Sequence, residues 1–224
     1  MASPGKEQVV VIGLGRFGSA LAVELASHGT DVLAIDSRPN VVQRLSGRLS
    51  HVVTADSTDV EALRQLGVAD YDRAVVGIGT DMEASILTIA NLVDLGIERI
   101  WAKAVTDQHA SILKRVGASF VVLPEHEMGE RVAHLVAGRM LDYIEIDSDF
   151  AMIKTEPPRD LVGVPLGETK LPDQYNVSVT AVRSNVDGEN AVFKPATPNT
   201  VLMYGDVILV IGRIADVERF ADSL

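Results

Sequence analysis

The 224-residue chain contains no cysteine, which excludes disulfide bridges and thiolate-held zinc and is compatible with a reducing compartment. Positive charge is scarce: 20 Lys and Arg stand against 31 Asp and Glu, a formal net charge of -11, and the basic residues form no cluster. Nucleic-acid binding through phosphates and attachment to an acidic membrane surface both need such clusters, so neither is expected. No apolar run approaches the roughly twenty residues of a membrane helix, and residues 1–8 are polar rather than signal-like. These absences predict a soluble, cytoplasmic protein with no direct membrane insertion. What is present, an apolar fraction of 47%, suffices for the packed core of one large domain or two modest ones.

The most informative stretch is Val9-Val10-Val11-Ile12-Gly13-Leu14-Gly15-Arg16-Phe17-Gly18, followed by Asp31-Val32-Leu33-Ala34-Ile35-Asp36. It describes a strand, a glycine turn, a helix and a second strand ending in a carboxylate. Gly13, Gly15 and Gly18 let backbone approach a pyrophosphate, and the helix opening near Arg16 presents unpaired N–H groups and a positive dipole end. Asp36 lies at the usual distance for bonding ribose hydroxyls.

Beyond this unit the pattern keeps alternating. Residues 39–49 read as a helix, 51–55 as a strand, and Asp56-Ser57-Thr58-Asp59 caps a helix through Leu66. Residues 73–78 form a nearly continuous apolar strand, ending at Gly79-Thr80-Asp81 before a helix with Ile86, Ile89, Ala90 and Val93 on one stripe. Strands over 99–105 and 120–123 flank a helix from Asp107 to Val116 that stops at Gly117. Six strands in βα alternation predict an α/β fold with a Rossmann-like, doubly wound parallel sheet over residues 1–124. Ligands in such sheets sit at the carboxyl ends of the strands, here Gly13, Asp36, Asp56, Ile78 with Gly79, and Lys103.

Residues 125–143 read as a longer helix with Met128, Val132, Leu135, Val136 and Met140 on its apolar side, a connector assigned to 125–141. A small α+β domain is expected over 142–224. Its strands fall at 143–155, 177–183 and 207–211, with an Asp187-Gly188 hairpin turn between strands around Val182 and Val192 and a closing helix over 215–220.

The chain resembles the RCK (KTN) family through residues 9–18, Asp36, residues 55–59, Ile78-Gly79, Ala102-Lys103-Ala104 and residues 123–129, and through residues 161–166 and 198–206 in the second half. The resemblance is nearest to the cytosolic regulatory subunits of bacterial potassium uptake systems, the KtrA and TrkA proteins. It implies a homo-oligomeric ring, commonly an octamer assembled from dimers, on the inner face of a membrane channel or transporter subunit whose gate responds to ligand exchange.

The candidate binding set is Gly13, Gly15, Arg16, Phe17, Gly18, Asp36, Ser37, Arg38, Asp56, Ser57, Ile78, Gly79, Lys103, Ala104, His109 and Glu125. Arg16 suits charge-assisted contact with a phosphate, and the resemblance places it against the γ-phosphate of ATP; a solvated helix-start arginine is the alternative. Asp36 favours free ribose hydroxyls over a 2′-phosphate but separates ATP or ADP from NAD(H) no further, and a turn-forming aspartate is its plain reading. Arg38 either meets the nucleotide or lies at the surface. Asp56 and Ser57 border adenine or ribose, or simply cap a helix. Lys103 balances phosphate charge or forms a structural ion pair. Glu125 is favourable at a helix start, and the resemblance adds a divalent cation, Mg²⁺ or Ca²⁺, held between subunits near the phosphates. His109 is placed beside the nucleotide.

In some family members the C-terminal domain pairs with its twin around cyclic di-AMP. Asn176, Arg183 and residues 195–198 are candidates for that role, with a plain dimer interface equally open. The competing class is a small NAD(H)-dependent oxidoreductase. It needs an acid/base constellation at the strand ends and a substrate lobe, and the sequence displays neither.

Overall fold

The computed structural model describes residues 7–137, 140–185 and 191–223. The chain divides into two compact units, Met1–Glu125 and His126–Leu224.

In the first unit β1 (Gln8–Ile12), β2 (Asp31–Asp36), β3 (His51–Thr54), β4 (Arg73–Val76), β5 (Arg99–Lys103) and β6 (Phe120–Val122) form one sheet in the order β3-β2-β1-β4-β5-β6. Every neighbouring pair is parallel. Helices α1 (Arg16–Ser27), α2 (Pro39–Leu45), α3 (Val60–Gln65), α4 (Met82–Asp94) and α5 (Asp107–Val116) make the connections. Val9 and Val11 pack with Ala22, Val41 and Leu45 of α1 and α2, whereas Val10 and Ile12 pack with Leu63, Ile89, Leu92 and Leu113 of α3, α4 and α5. Burial on both faces is why the strands read as unbroken apolar runs. After β3 the chain returns to the other side of β1, which opens a crevice at the carboxyl ends of β1 and β4.

Helices α2 and α4 depart from the sequence reading. Helix α2 ends at Leu45, short of residue 49, where the Ser46 hydroxyl turns back to donate to the Gln43 carbonyl (2.8 Å) ahead of Gly47. Helix α4 buries Ser85, Thr88, Ile89 and Leu92, while Val93 is 42% exposed. Of the expected stripe of Ile86, Ile89, Ala90 and Val93, Ile89 is fully buried and Ile86 packs partly against the core, but Val93 is not, so the buried face is rotated toward Ser85, Thr88 and Leu92. Thr88 goes inside because its hydroxyl is paired with that of buried Ser57 (2.7 Å), a polar contact that hydropathy cannot foresee.

Helix α6 (Pro124–Val136) stops seven residues before the expected end. Strand pairing claims the chain there: Leu141 N–H donates to the Lys154 carbonyl, and the Arg131 guanidinium forks onto Asp142 at 2.7–2.9 Å. None of the α6 side chains is buried, and Met128 and Val132 on its apolar side are about half exposed.

The second unit holds β7 (Asp142–Asp147), β8 (Phe150–Thr155), β9 (Val177–Arg183), β10 (Lys194–Pro195) and β11 (Val207–Arg213) in an antiparallel sheet, order β10-β9-β11-β8-β7. The single strand expected over 143–155 is a hairpin. Its turn is set where the Asp147 carboxylate accepts the Ser148 N–H at 2.7 Å. Short helix α7 (Leu171–Tyr175) and closing helix α8 (Ile214–Ala221) complete the unit, with Val217 and Phe220 fully buried against Ile153, Ile208 and Val210. The segments 161–166 and 198–206 that carry the second-half resemblance are laced together: Gly163 and Leu166 N–H groups donate to the Leu202 and Thr200 carbonyls, both at 2.9 Å. The Asp187-Gly188 turn lies outside the described residues.

Among the described residues no helix is long and apolar enough to cross a membrane.

Candidate functional site

The turn after β1 is built by mutual close approach of glycines. Gly13 has φ +86°, and a Cβ on it would come within 2.7 Å of the Ile78 side chain. A Cβ on Gly18 would run into the carbonyl oxygen of Gly13, and one on Gly77 would stand 2.8 Å from the same oxygen. These residues let α1 and the end of β4 close on the turn. Gly15 differs: nothing lies within 4 Å of the place its Cβ would occupy, so it keeps the approach to the turn open. Helix α1 starts at the next residue with no side-chain cap and no carboxylate in its first turn, leaving its N–H donors available to an anion. The Arg16 side chain is exposed beside them and forms no hydrogen bond or ion pair among the described residues.

Across the crevice Asp36 ends β2, its side chain 4% exposed. Its carboxylate accepts the Leu14 N–H (2.7 Å), the Arg38 N–H (2.9 Å), and the Arg38 guanidinium through Nε (2.9 Å) and Nη2 (3.1 Å). Burial pushes this carboxyl up, but the Arg38 and Leu14 hydrogen bonds outweigh it and hold Asp36 below the ordinary range.

The third wall is the loop after β3. The exposed Asp56 carboxylate accepts both the hydroxyl and N–H of Thr58 (2.7 and 2.9 Å), which lowers its pKa. Ser57 is buried on Thr88, and the Asn91 amide donates to the carbonyls of Ser57 (3.1 Å) and Thr58 (3.0 Å). Two α4 side chains thus hold the loop in place. Asn91→Ala should leave two carbonyls without their donor, lowering stability by about 1–2 kcal/mol. Unfolding in urea, compared with wild type, checks this.

On the fourth side Lys103 ends β5 with its side chain only 12% exposed and its Nζ 2.6 Å from Oε1 of Glu125. A Cβ on Gly79 would meet that Nζ at 3.2 Å, so the glycine makes room for the lysine. The Lys103 hydrogen bond, helped by the charge of Arg16, holds Glu125 below its usual range. Beside them Asp81 caps α4 by accepting the Ala84 N–H at 2.9 Å.

Together these residues line an open cleft of about 590 Å³. Of the sixteen candidates, Gly13, Gly15, Arg16, Phe17, Asp36, Ser37, Arg38, Asp56, Ser57, Ile78, Gly79, Lys103 and Glu125 line it. Gly18, Ala104 and His109 do not. Gly18 is buried where α1 meets the turn, and Ala104, 1% exposed, extends the ladder by donating its N–H to the Val122 carbonyl. His109 is also 1% exposed; it lies beneath the β5–α5 turn, its Nδ1 accepting the Val105 N–H at 3.4 Å and burial pushing its pKa down. The cleft also takes in Gly77, Thr80, Asp81 and Ala84, which are outside the candidate binding set although Thr80 and Asp81 are read at a strand end. A helix capped by Asp81 two residues after the strand-end Gly79 was the available signal.

Glu125 offers one carboxylate, already paired with Lys103, and the described residues contain no group of three His, Asp or Glu able to hold a metal ion. A hard cation at Glu125 would have to draw most of its oxygen ligands from elsewhere. In the second unit a groove of about 220 Å³ is lined by residues that include Leu166, Pro172, Val179 and Pro198, but not by Asn176 or Arg183. The Asn176 amide donates to Asp216 (2.8 Å), and the Arg183 guanidinium sits over the Phe193 ring.

A doubly wound sheet with a glycine turn at one end of its crevice and a strand-end carboxylate opposite defines a nucleotide-binding class of fold. The TrkA-N domain model matches residues 9–124 and the TrkA-C domain model residues 150–224, and the chain belongs to this family. It is 33% identical to Ktr system potassium uptake protein C of Bacillus subtilis, over 96% of each chain. It is likewise 33% identical to Ktr system potassium uptake protein A of Vibrio alginolyticus, over 93% of each. The crystal structure of the GsuK RCK domain superposes with a TM-score of 0.64 at 15% identity, covering all of this chain and 48% of that one. The GsuK channel bound to NAD gives 0.63 at 15%, over 96% of this chain and 39% of that one. At such identities the two structures share the fold, and this chain spans less than half of each.

Proposed function

We propose that the protein is the regulatory subunit of a potassium uptake system, binding an adenine nucleotide in the amino-terminal cleft and changing the gate of a membrane-embedded potassium transporter subunit when that nucleotide is exchanged. The observation that carries the reading is the pairing of an open phosphate turn, Gly13 to Arg16, with the Asp36 carboxylate across a cleft of nucleotide size. Kinship with Ktr system potassium uptake proteins over nearly the full chain supplies the ion and the kind of partner.

In this reading the α1 N-terminus and Arg16 take the phosphates, Asp36 the ribose, and the Asp56–Ser57 loop with Ile78 the base. Lys103, paired with Glu125, stands at the rim. One phosphate more or less at Arg16 gives ATP and ADP unequal affinities for the states of the protein, which is all that a population shift requires. Copies assemble into a ring, an octamer by the resemblance, at the cytoplasmic face of the membrane. NAD(H) fits Asp36 as well as ATP does, and a solved channel of the same fold holds NAD. A divalent cation would find one carboxylate here, and the nucleotide phosphates and a second copy's Glu125 would have to complete its shell. Cyclic di-AMP gains no support from Asn176 or Arg183, since neither lines the groove of the second unit and the Asn176 amide already donates to Asp216.

The regulator is favoured over the oxidoreductase by how the titratable groups of the cleft are used. Asp36 is saturated with hydrogen bonds, Asp56 and Asp81 cap backbone, and Lys103 neutralises Glu125. Each is committed to structure or charge balance rather than poised to move a proton. The test is potassium flux into vesicles carrying the transporter subunit with this protein added. Flux should differ between saturating ATP and ADP, and equal flux in both would contradict the proposal.

A further inference from the structure

A carboxylate has about four lone-pair positions, and on Asp36 all of them are filled by the chain itself. Two donors are backbone N–H groups, of Leu14 and Arg38, and will be there whatever the cleft holds. The other two are Nε and Nη2 of the Arg38 side chain, one on each oxygen. A ribose presents two hydroxyls and needs two acceptor positions. The only ones it can take without dismantling the turn are those under the guanidinium. The two occupants differ in attachment: Asp36 is 4% exposed and fixed by backbone, whereas the Arg38 side chain is 58% exposed and free to leave.

We infer that Arg38 is a specificity-determining residue that competes with the ligand, its guanidinium occupying the ribose-diol position of Asp36 and yielding it only to a sugar with both hydroxyls in place. This rests on the nucleotide reading above and adds a consequence opposite to the usual one for an arginine lining a nucleotide cleft. Removing it strengthens binding of the diol. The gain is confined to ligands that engage Asp36, because a sugar without hydroxyls leaves the Arg38–Asp36 pair undisturbed.

The experiment compares ADP with its 2′,3′-dideoxy analogue on the full chain by calorimetry, in wild type, Arg38→Ala and Arg38→Lys. Arg38→Ala should raise the preference for ADP over the dideoxy compound by about three- to tenfold, the size of one partly exposed charged pair. Arg38→Lys keeps the charge but cannot fork onto both oxygens, so its preference should fall between the two. Thermal melts without ligand identify any variant whose fold is lost, and the lysine form then carries the comparison. A preference unchanged or reduced in both variants overturns the competition while leaving the nucleotide site standing. Binding of neither compound to wild type overturns the nucleotide reading and this inference with it.

Discussion

Gly18→Ala lowers the stability of the amino-terminal unit by about 2–3 kcal/mol and abolishes most nucleotide binding, the expected result of forcing a methyl group into an occupied position. The added Cβ meets the carbonyl oxygen of Gly13, which is backbone and cannot rotate away. Gly77 crowds that same oxygen from β4, so the turn has no side on which to relax. Either α1 moves off the sheet, uncovering Val11 and Ala22, or Gly13 leaves the conformation that aims the turn at the cleft. Gly15→Ala separates packing from ligand approach. Its Cβ touches nothing within 4 Å, so the melting temperature should stay within a degree or two of wild type while ADP affinity drops by about tenfold. Equal destabilisation by both substitutions would show that the glycines serve packing alone.

The second large effect is expected at Asp36. Asparagine has the same shape but one oxygen, and four N–H donors converge on this site. Whichever way the amide is turned, its NH₂ faces two donors. Asp36→Asn should therefore cost about 3 kcal/mol, the scale of buried donors deprived of a charged acceptor, and weaken ADP binding by about tenfold or more as the Leu14 turn loosens. Acid makes the same change by protonation. Because the folded carboxyl is held below its unfolded value, its contribution is fully present above the unfolded pKa and disappears as pH falls through the lower folded one. Wild type should lose this increment across that acidic window and Asp36→Asn should not, which urea unfolding at a series of pH values measures directly.

Much of the first unit was legible because it is buried on both faces. Continuous apolar strands, glycines at turns and Asp59 and Asp81 at helix starts are local signals, and α5 begins and ends where residues 107–117 said it would. The α4 face was not legible, since Thr88 is inside for the sake of a hydroxyl pair with a residue 31 positions away. Nor was the hairpin within 143–155, where alternation continues on both sides of a turn set by one aspartate. At the site, residue types chosen for ligand contact were brought to one cleft, but their present partners could not be read. Arg38 on Asp36 and Lys103 on Glu125 are side-chain pairings, and the second spans 22 residues across two elements. His109 shows the reverse limit: a histidine two positions into a helix reads the same whether it faces a ligand or braces a turn.

Nucleotide exchange in the cleft is tested by calorimetric titration of the full chain with ATP, ADP and NADH, repeated on Arg16→Ala. Wild type is predicted to take up one adenine nucleotide per chain, with ATP favoured over ADP, and Arg16→Ala to bind ADP nearly as before while losing the preference for ATP. Absence of binding by all three, or a preference for ATP that survives the loss of Arg16, would contradict it.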